Sequence, residues 1–108
     1  DQGLLGFALR CDGSKSDLLY VDGGPATTGA VGHLRMSGNQ VFRHAVVNIA
    51  EAITAAAKAA NIEIADVDWF VPHQANQRII KGVGDRLGLG ENKAMGGGLT
   101  WGACALRL

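Results

Sequence analysis

Apolar and polar positions follow two different periods along this chain, and the change of period predicts strands alternating with helices. Residues 4–9 and 18–21 are short apolar runs separated by a polar turn at residues 12–17, a pattern typical of strands. Residues 22–32 are rich in glycine and fit neither period. We therefore interpret them as a loop, either a surface excursion or a segment that lines a substrate site.

The longest helical signal begins at Ser37. Ser37 and Gln40 have the spacing of a capping box, in which each side chain satisfies a free backbone donor. Apolar side chains then recur at helical spacing, and residues 50–60 are mostly alanine, which favours a helix and lets neighbours approach closely. We predict a buried central helix over residues 37–60, ended by Asn61 in the left-handed conformation.

A second strand and helix follow. The apolar run at residues 67–71 predicts a strand that Pro72 closes, because proline cannot donate to a ladder. Residues 75–87 place apolar side chains on one side and charged ones on the other, which predicts a helix with Gly88 as its C-cap. A glycine triplet then leads to a final strand at residues 99–108. This order of elements indicates an α/β layer.

Composition limits the classes of function. The chain has 108 residues, 47% of them hydrophobic, and ten basic residues balance ten acidic ones. A neutral chain has no overall field to attract nucleic acid, and the sequence has no run long enough for a membrane span and no signal pattern. Cys11 and Cys104 show no CxxC spacing, so we expect neither a disulfide framework nor a metal site, and we expect a reducing cytoplasm.

The residue types needed for chemistry concentrate between Trp69 and Ile80, in the sequence Trp-Phe-Val-Pro-His-Gln-Ala-Asn-Gln-Arg-Ile-Ile. This segment brings a histidine, several amides and an arginine to the start of an amphipathic helix, where a substrate can reach them. A single histidine in a small domain is most often a structural side chain. His33 and His44 keep that interpretation, because no third ligand lies at metal spacing.

Three segments together resemble the C-terminal half of β-ketoacyl-acyl carrier protein synthase III, the initiating condensing enzyme of bacterial fatty-acid synthesis. They are Gly-His-Leu-Arg-Met-Ser-Gly-Asn-Gln-Val-Phe from residue 32, Val-Pro-His-Gln-Ala-Asn-Gln-Arg-Ile-Ile from residue 71, and Gly-Gly-Gly-Leu-Thr-Trp-Gly from residue 96. They follow the family's order, and the match as a whole covers nearly the whole chain. The resemblance implies an α/β fold, an incomplete C-terminal half of a thiolase-type layered fold with a mixed sheet and a buried central helix.

The resemblance also implies an acyltransferase that condenses acetyl-CoA with malonyl-acyl carrier protein, by decarboxylative Claisen condensation, to acetoacetyl-acyl carrier protein. His73 matches the catalytic histidine that donates to the malonyl thioester carbonyl, and Gly97 matches the backbone donor of an oxyanion hole. No cofactor is implied beyond the coenzyme A thioester substrate, and the complete enzyme is expected to be a homodimer. Matched coenzyme A or pantetheine positions are Met36, Gly38, Phe42, Ala45 and Asn76; matched carrier-protein positions are Gln74, Ala75, Asn76, Gln77 and Arg78.

Two features of the family pattern have no counterpart in the sequence, so residues 1–108 are expected to be a partial C-terminal domain. Neither Cys11 nor Cys104 has the context of the nucleophilic cysteine. The catalytic asparagine belongs to a segment of about 30 to 40 residues, the size of a βαβ unit, that is expected to be missing between Lys93 and Ala94. Two hypotheses stay open: part of an acyltransferase that is inactive by itself, or a non-catalytic remnant that binds coenzyme A or carrier protein.

Overall fold

The structure is a computed structural model that describes residues 3–90, 93 and 103–107. The chain divides into two compact units, which we call the hairpin unit (Cys11–His44) and the helical unit (Asp1–Arg10 with Ala45–Leu108). The predicted α/β class is confirmed. The elements in order are β1 Gly3–Ala8, a 3₁₀ helix Gly13–Leu18, β2 Leu19–Val21, β3 Leu34–Met36, α1 Gly38–Ala60, a 3₁₀ helix Ile64–Asp66, α2 Gln77–Leu87 and β4 Ala103–Arg107.

The core of the helical unit lies between α1 and α2. The predicted separation of apolar and charged sides on α2 is confirmed, since Ile80 and Val83 are buried while Arg86 is exposed. Val83 is fully buried, and its cluster contains residues of α1 and α2 together with Phe70. The buried members of this cluster are Ala50, Phe70, Ile80, Val83 and Leu89, and half-buried apolar side chains pack around them: Val46, Ile49, Ile53, Ile64, Val67, Ile79 and Leu87.

Helix α1 begins and ends close to the predicted positions. At its start, the carbonyl of Ser37 accepts from the N–H groups of Gln40 and Val41, each at 2.9 Å. At its end, Asn61 has φ of 55°, and the N–H of Ile62 donates to the carbonyl of Ala57 at 3.1 Å. The predicted left-handed stop is therefore confirmed. The helix is buried along one face, at Ala45, Ala50, Ala56 and Ala57, and not on all sides.

Strand β1 lies directly against the alanine-rich end of α1. A Cβ atom at Gly6 would lie 2.7 Å from the backbone nitrogen of Ala60 and 2.9 Å from the carbonyl oxygen of Ala56. Glycine on the strand and alanine on the helix therefore let two backbones touch, which is the close approach that the alanine run predicts. On its hydrogen-bonded edge β1 pairs antiparallel with β4, with Phe7 opposite Cys104 and a bulge between Leu4 and Gly6.

Strand pairing differs from the predicted mixed sheet. The described residues form two separate two-stranded sheets, β1 with β4 and β2 with β3, and both are antiparallel. Of the strand predicted at residues 67–71, the described residues show a bridge position at Phe70, whose N–H donates to the carbonyl of Lys93 at 2.7 Å.

The hairpin unit contains β3, which the sequence reasoning missed. Leu19 pairs with Met36 and Val21 with Leu34, across a connection much longer than the two-residue turn of a simple hairpin. Every side chain of both strands is exposed.

Among the described residues, no helix has the length and apolar content needed to cross a membrane.

The glycine-rich loop between β2 and β3 is closed by Asp22. Its Oδ1 accepts from the N–H of His33 at 2.7 Å, and its Oδ2 pairs with the guanidinium of Arg35. A Cβ atom at Gly32 would lie 2.1 Å from the nitrogen of Gly23, so the two ends of the loop touch through glycine backbones. The loop is therefore closed and largely exposed, and both predicted alternatives, a surface excursion and a segment that lines a substrate site, stay open.

The contact between β1 and α1 predicts that replacement of Gly6 by alanine destabilises the protein. The added methyl group would meet backbone atoms of α1 that cannot rotate away. We expect the free energy of unfolding to fall by about 1–3 kcal/mol, as overpacking commonly costs. Urea unfolding followed by circular dichroism measures this change. Gly13→Ala is the matched control, because a Cβ there has no heavy atom within 4 Å. Equal urea midpoints for Gly6→Ala and Gly13→Ala would contradict the contact between β1 and α1.

The closure of the glycine-rich loop predicts a pH dependence. Hydrogen bonds from the backbone of His33 and then from the side chain of Arg35 hold the pKa of Asp22 below its ordinary value of 3.8. Because the pKa is lower in the folded state, the stabilisation is present above the ordinary pKa and is lost as the pH falls through the folded one. We expect the amide resonance of His33 to titrate with Asp22 in that acidic window. The titration should vanish in Asp22→Asn, and a His33 amide that is unchanged below pH 3.8 in the parent chain would disprove the closure.

Candidate active site at the start of α2

The predicted catalytic histidine lies in a short connection between the core and α2. Phe70 and Pro72 are buried, which fixes the chain on one side of His73. His73 itself is half-buried, and Gln74 and Ala75 form an exposed turn after it. The side chain therefore lies at the boundary between the core and solvent, where it is accessible and yet attached to a packed segment.

Asn76 ends this connection and begins α2 as its N-cap. Its Oδ1 accepts from the N–H of Arg78 at 2.8 Å, and its backbone carbonyl accepts from Ile79 at 3.0 Å. The helix starts two residues later than predicted, at Gln77 and not at Ala75, because the cap residue has extended φ and ψ angles. The sequence reasoning gave Asn76 a contact role and missed its capping role, although Asn before a helical period is a recognisable signal.

The exposed side of α2 is basic. Arg78, Lys81 and Arg86 are exposed, and Asp85 is the acidic residue among them, at 3.6 Å from Lys81 through Oδ1 and Nζ. Gln74, Ala75, Asn76 and Gln77 are exposed next to Arg78, so the five predicted carrier-protein positions form one continuous exposed segment. This segment has the amide donors and the positive charge that an acidic partner would contact.

Lys93 connects the end of α2 to the segment that precedes His73, a contact the sequence gave no signal for. Its Nζ donates to the carbonyl of Val67 at 2.7 Å and to that of Ala65 at 3.2 Å. Its own N–H donates to Gly90 at 3.0 Å, while its carbonyl accepts from Phe70. One residue thus makes three hydrogen bonds to residues 65–70.

The remaining predicted site residues are distributed over both units and the residues outside the described part of the chain. Met36, Gly38 and Phe42 belong to the hairpin unit, where a Cβ atom at Gly38 would lie 3.9 Å from the terminal methyl of Met36. Met36 is exposed and Phe42 half-buried. Ala45 is buried in the helical unit, and Gly97 lies outside the described residues.

Capping by Asn76 predicts a loss of stability in Asn76→Ala. The variant leaves the N–H of Arg78 without its side-chain acceptor, which should lower the free energy of unfolding by about 1 kcal/mol. Asn76→Asp should retain the stability, since a carboxylate accepts the same bond and favours a helix N-terminus. Asn39→Ala, at an exposed position inside α1, is the control. Chemical denaturation that ranks Asn76→Ala equal to Asn39→Ala would rule out the cap.

Comparisons with known proteins point to one family. Residues 57–95, which contain His73 and all of α2, match the family described as 3-oxoacyl-[acyl-carrier-protein (ACP)] synthase III C terminal. Beta-ketoacyl-[acyl-carrier-protein] synthase III of Caulobacter vibrioides is 54% identical over the whole chain, and its namesake in Hyphomonas neptunium is 40% identical. The chain spans 45% of the length of each of these curated relatives.

Both alignments use 146 positions for a chain of 108 residues, so the relatives have residues inside the matched region that this chain lacks. An internal gap of this kind is what the expected missing segment requires, and its location after Lys93 stays a prediction.

Solved structures agree with the sequence relatives. The synthase III of Thermus thermophilus superposes with a TM-score of 0.76 at 34% identity, over 89% of this chain and 31% of that one. The synthase III of Aquifex aeolicus gives a TM-score of 0.78 at 27% identity, over 89% and 29%. The thiolase-type fold predicted from the three motifs is confirmed. The chain therefore belongs to the β-ketoacyl-[acyl-carrier-protein] synthase III family, and it corresponds to part of the C-terminal portion.

Proposed function

We propose that these residues contribute to an initiating condensing enzyme that joins acetyl-CoA to malonyl-acyl carrier protein and releases carbon dioxide. The observation that carries the proposal is the position of His73. It follows a buried proline, lies at the edge of the core, and falls within the residues that match the family. The relatives' name, beta-ketoacyl-[acyl-carrier-protein] synthase III, supports the same class of acyltransferase.

His73 serves in this proposal as a hydrogen-bond donor to the malonyl thioester carbonyl. As the bond to the carboxylate breaks and carbon dioxide leaves, its electron pair passes to the neighbouring carbon and onto the carbonyl oxygen as an enolate. The enolate carbon then attacks the acetyl thioester, and the thiolate leaves. A fixed donor stabilises the charge where it develops, and loss of one such donor commonly lowers the rate by about 10² to 10³.

The exposed segment Gln74–Arg78 serves in this proposal as the contact with the carrier protein. Support comes from its continuity and from the positive charge that Arg78, Lys81 and Arg86 give to the exposed side of α2. A basic surface raises the rate at which an acidic partner arrives, and this effect weakens as salt is added. The carrier would bring the malonyl thioester to the histidine at the start of the same helix.

The coenzyme A side of the site is proposed at Met36, Gly38, Phe42 and Ala45, with Asn76 near the pantetheine arm and the N–H of Gly97 in an oxyanion hole. The exposed surface of Met36 beside Gly38 supports access at the start of α1. The reaction needs no cofactor besides the thioester substrates. We place the enzyme, as a homodimer, in the cytoplasm, where an exposed thiol such as Cys11 stays reduced.

The 108 residues by themselves should not turn over substrate. Cys11 is a free, exposed cysteine of the hairpin unit, and its sequence context does not match that of the nucleophilic cysteine of the family. Without a cysteine that takes the acetyl group, no acyl-enzyme can form. Residual binding of coenzyme A or carrier protein is the alternative activity that the isolated chain can retain.

Activity of a chimeric enzyme tests the proposal. The C. vibrioides relative supplies every segment absent from this chain, and the 108 residues replace their counterparts in it. We expect the isolated chain to form no acetoacetyl-acyl carrier protein, and the chimera to form it at a rate that falls about 10² to 10³-fold in His73→Ala. His44→Ala, at an exposed position in α1, is the matched control. Product formed by the isolated chain, or an unimpaired His73→Ala chimera, would refute the assignment.

The same chimera tests the carrier-protein contact. Arg78→Glu reverses a charge at the start of α2, so KM for malonyl-acyl carrier protein should rise at low salt while KM for acetyl-CoA stays constant. Arg10→Glu makes the same change of charge at an exposed residue before the hairpin unit and should leave both constants unaltered. Equal KM shifts in Arg78→Glu and Arg10→Glu would show that only the total charge matters.

A further inference from the structure

We propose that Lys93 is a positioning residue for His73, acting through residues 65–72. The proposal rests on the proposed function of His73 and adds a residue to that site. It starts from an unusual concentration of contacts: the Lys93 ammonium binds the carbonyls of Ala65 and Val67, and the Lys93 carbonyl binds the N–H of Phe70. The partners are 26 and 28 residues away along the chain for the ammonium, so these contacts are tertiary.

The two carbonyls have a physical reason to attract a cation. The 3₁₀ helix Ile64–Asp66 ends beside them, and in its turns the N–H groups of Asp66 and Val67 go to the carbonyls of Glu63 and Ile64. The carbonyls of Ala65 and Val67 belong to the last turn of this helix, where carbonyls have no donor within the helix itself. A half-buried ammonium supplies them with charged hydrogen bonds, which are stronger than neutral ones. A neutral side chain of similar length would leave both oxygens without this donor.

The segment fixed by Lys93 leads directly to His73. Phe70 is held by its burial in the core cluster and by its bond to Lys93, and Pro72 is buried with its φ angle fixed by the ring. On the other side, Asn76 is held by its capping bond to Arg78. His73 thus lies in a short connection anchored at both ends, and one of the two anchors depends on Lys93. Loosening of residues 65–70 would move the imidazole relative to α2.

Hydrogen–deuterium exchange on the full 108-residue chain tests this role without any need for turnover. Lys93→Met removes the ammonium and keeps the length of the side chain and the backbone carbonyl, whereas Lys93→Arg keeps a positive donor. Lys15→Met, at an exposed lysine of the hairpin unit, is the charge-matched control. Two signals are followed by mass spectrometry: amide exchange of the peptide containing Phe70, and exchange at the C2 carbon of each imidazole.

We expect Lys93→Met to raise amide exchange at Phe70 about tenfold or more, because the variant loses the charged hydrogen bonds that hold Ala65 and Val67. C2 exchange of His73 should change in the same variant, while that of His44 stays constant, and Lys93→Arg should restore both signals toward the parent values. Faster amide exchange along α1 as well would show a general effect on stability and would overturn a positioning role. Unchanged His73 exchange would overturn it too.

The outcome is separable from that of the proposed function. If the chimera is inactive but C2 exchange of His73 still changes in Lys93→Met, the proposed reaction is refuted and the positioning role of Lys93 stands. If the chimera is active but C2 exchange of His73 does not change in Lys93→Met, the positioning role alone is refuted.

Discussion

Burial of Phe70 is the interaction on which the rest of the helical unit depends. Its ring joins the cluster that α1 and α2 share, and its backbone N–H reaches Lys93 at 2.7 Å. The two roles fix both the position and the direction of the chain as it leaves the core. Pro72 and His73 follow within three residues, so the side chain proposed for chemistry takes its place from an aromatic residue with no chemical role.

Much of this arrangement is readable from the sequence, because local signals agree with the final structure. Both helices follow apolar periodicity, and both end at a residue with positive φ, Asn61 at 55° and Gly88 at 70°. These features depend on neighbours within one or two turns of the chain. Strand pairing is harder to predict, because it depends on residues far apart in the sequence. Strand β3 is three residues long and exposed, and within the described part of the chain the apolar run at residues 67–71 shows one bridge position, at Phe70.

The candidate site divides in the same way. His73 through Arg78 are contiguous, so their joint position at the start of α2 follows once the helix is predicted. Lys93 could not be predicted, because a lysine between Asn92 and Ala94 has no pattern that distinguishes a bound ammonium from a solvated one. The capping role of Asn76 could have been predicted, because Asn before a helical period is a common N-cap, but the resemblance assigned it a contact role only. Local physical chemistry and a family role are compatible at one residue, and each needs its own test.

The pairing of β1 with β4 has a consequence for the order in which the chain acquires structure. The partners are separated by nearly the whole sequence, with Gly3 opposite Arg107 and Ala8 opposite Ala103. During synthesis β1 is made well before β4, the strand that completes its hydrogen bonds. The surface of α1 at Ala56 and Ala60 is available much sooner. Gly6 therefore allows β1 to pack on α1 before β4 is available to pair with it. A residue that blocked this contact would leave the unpaired edge of β1 exposed to other chains for longer.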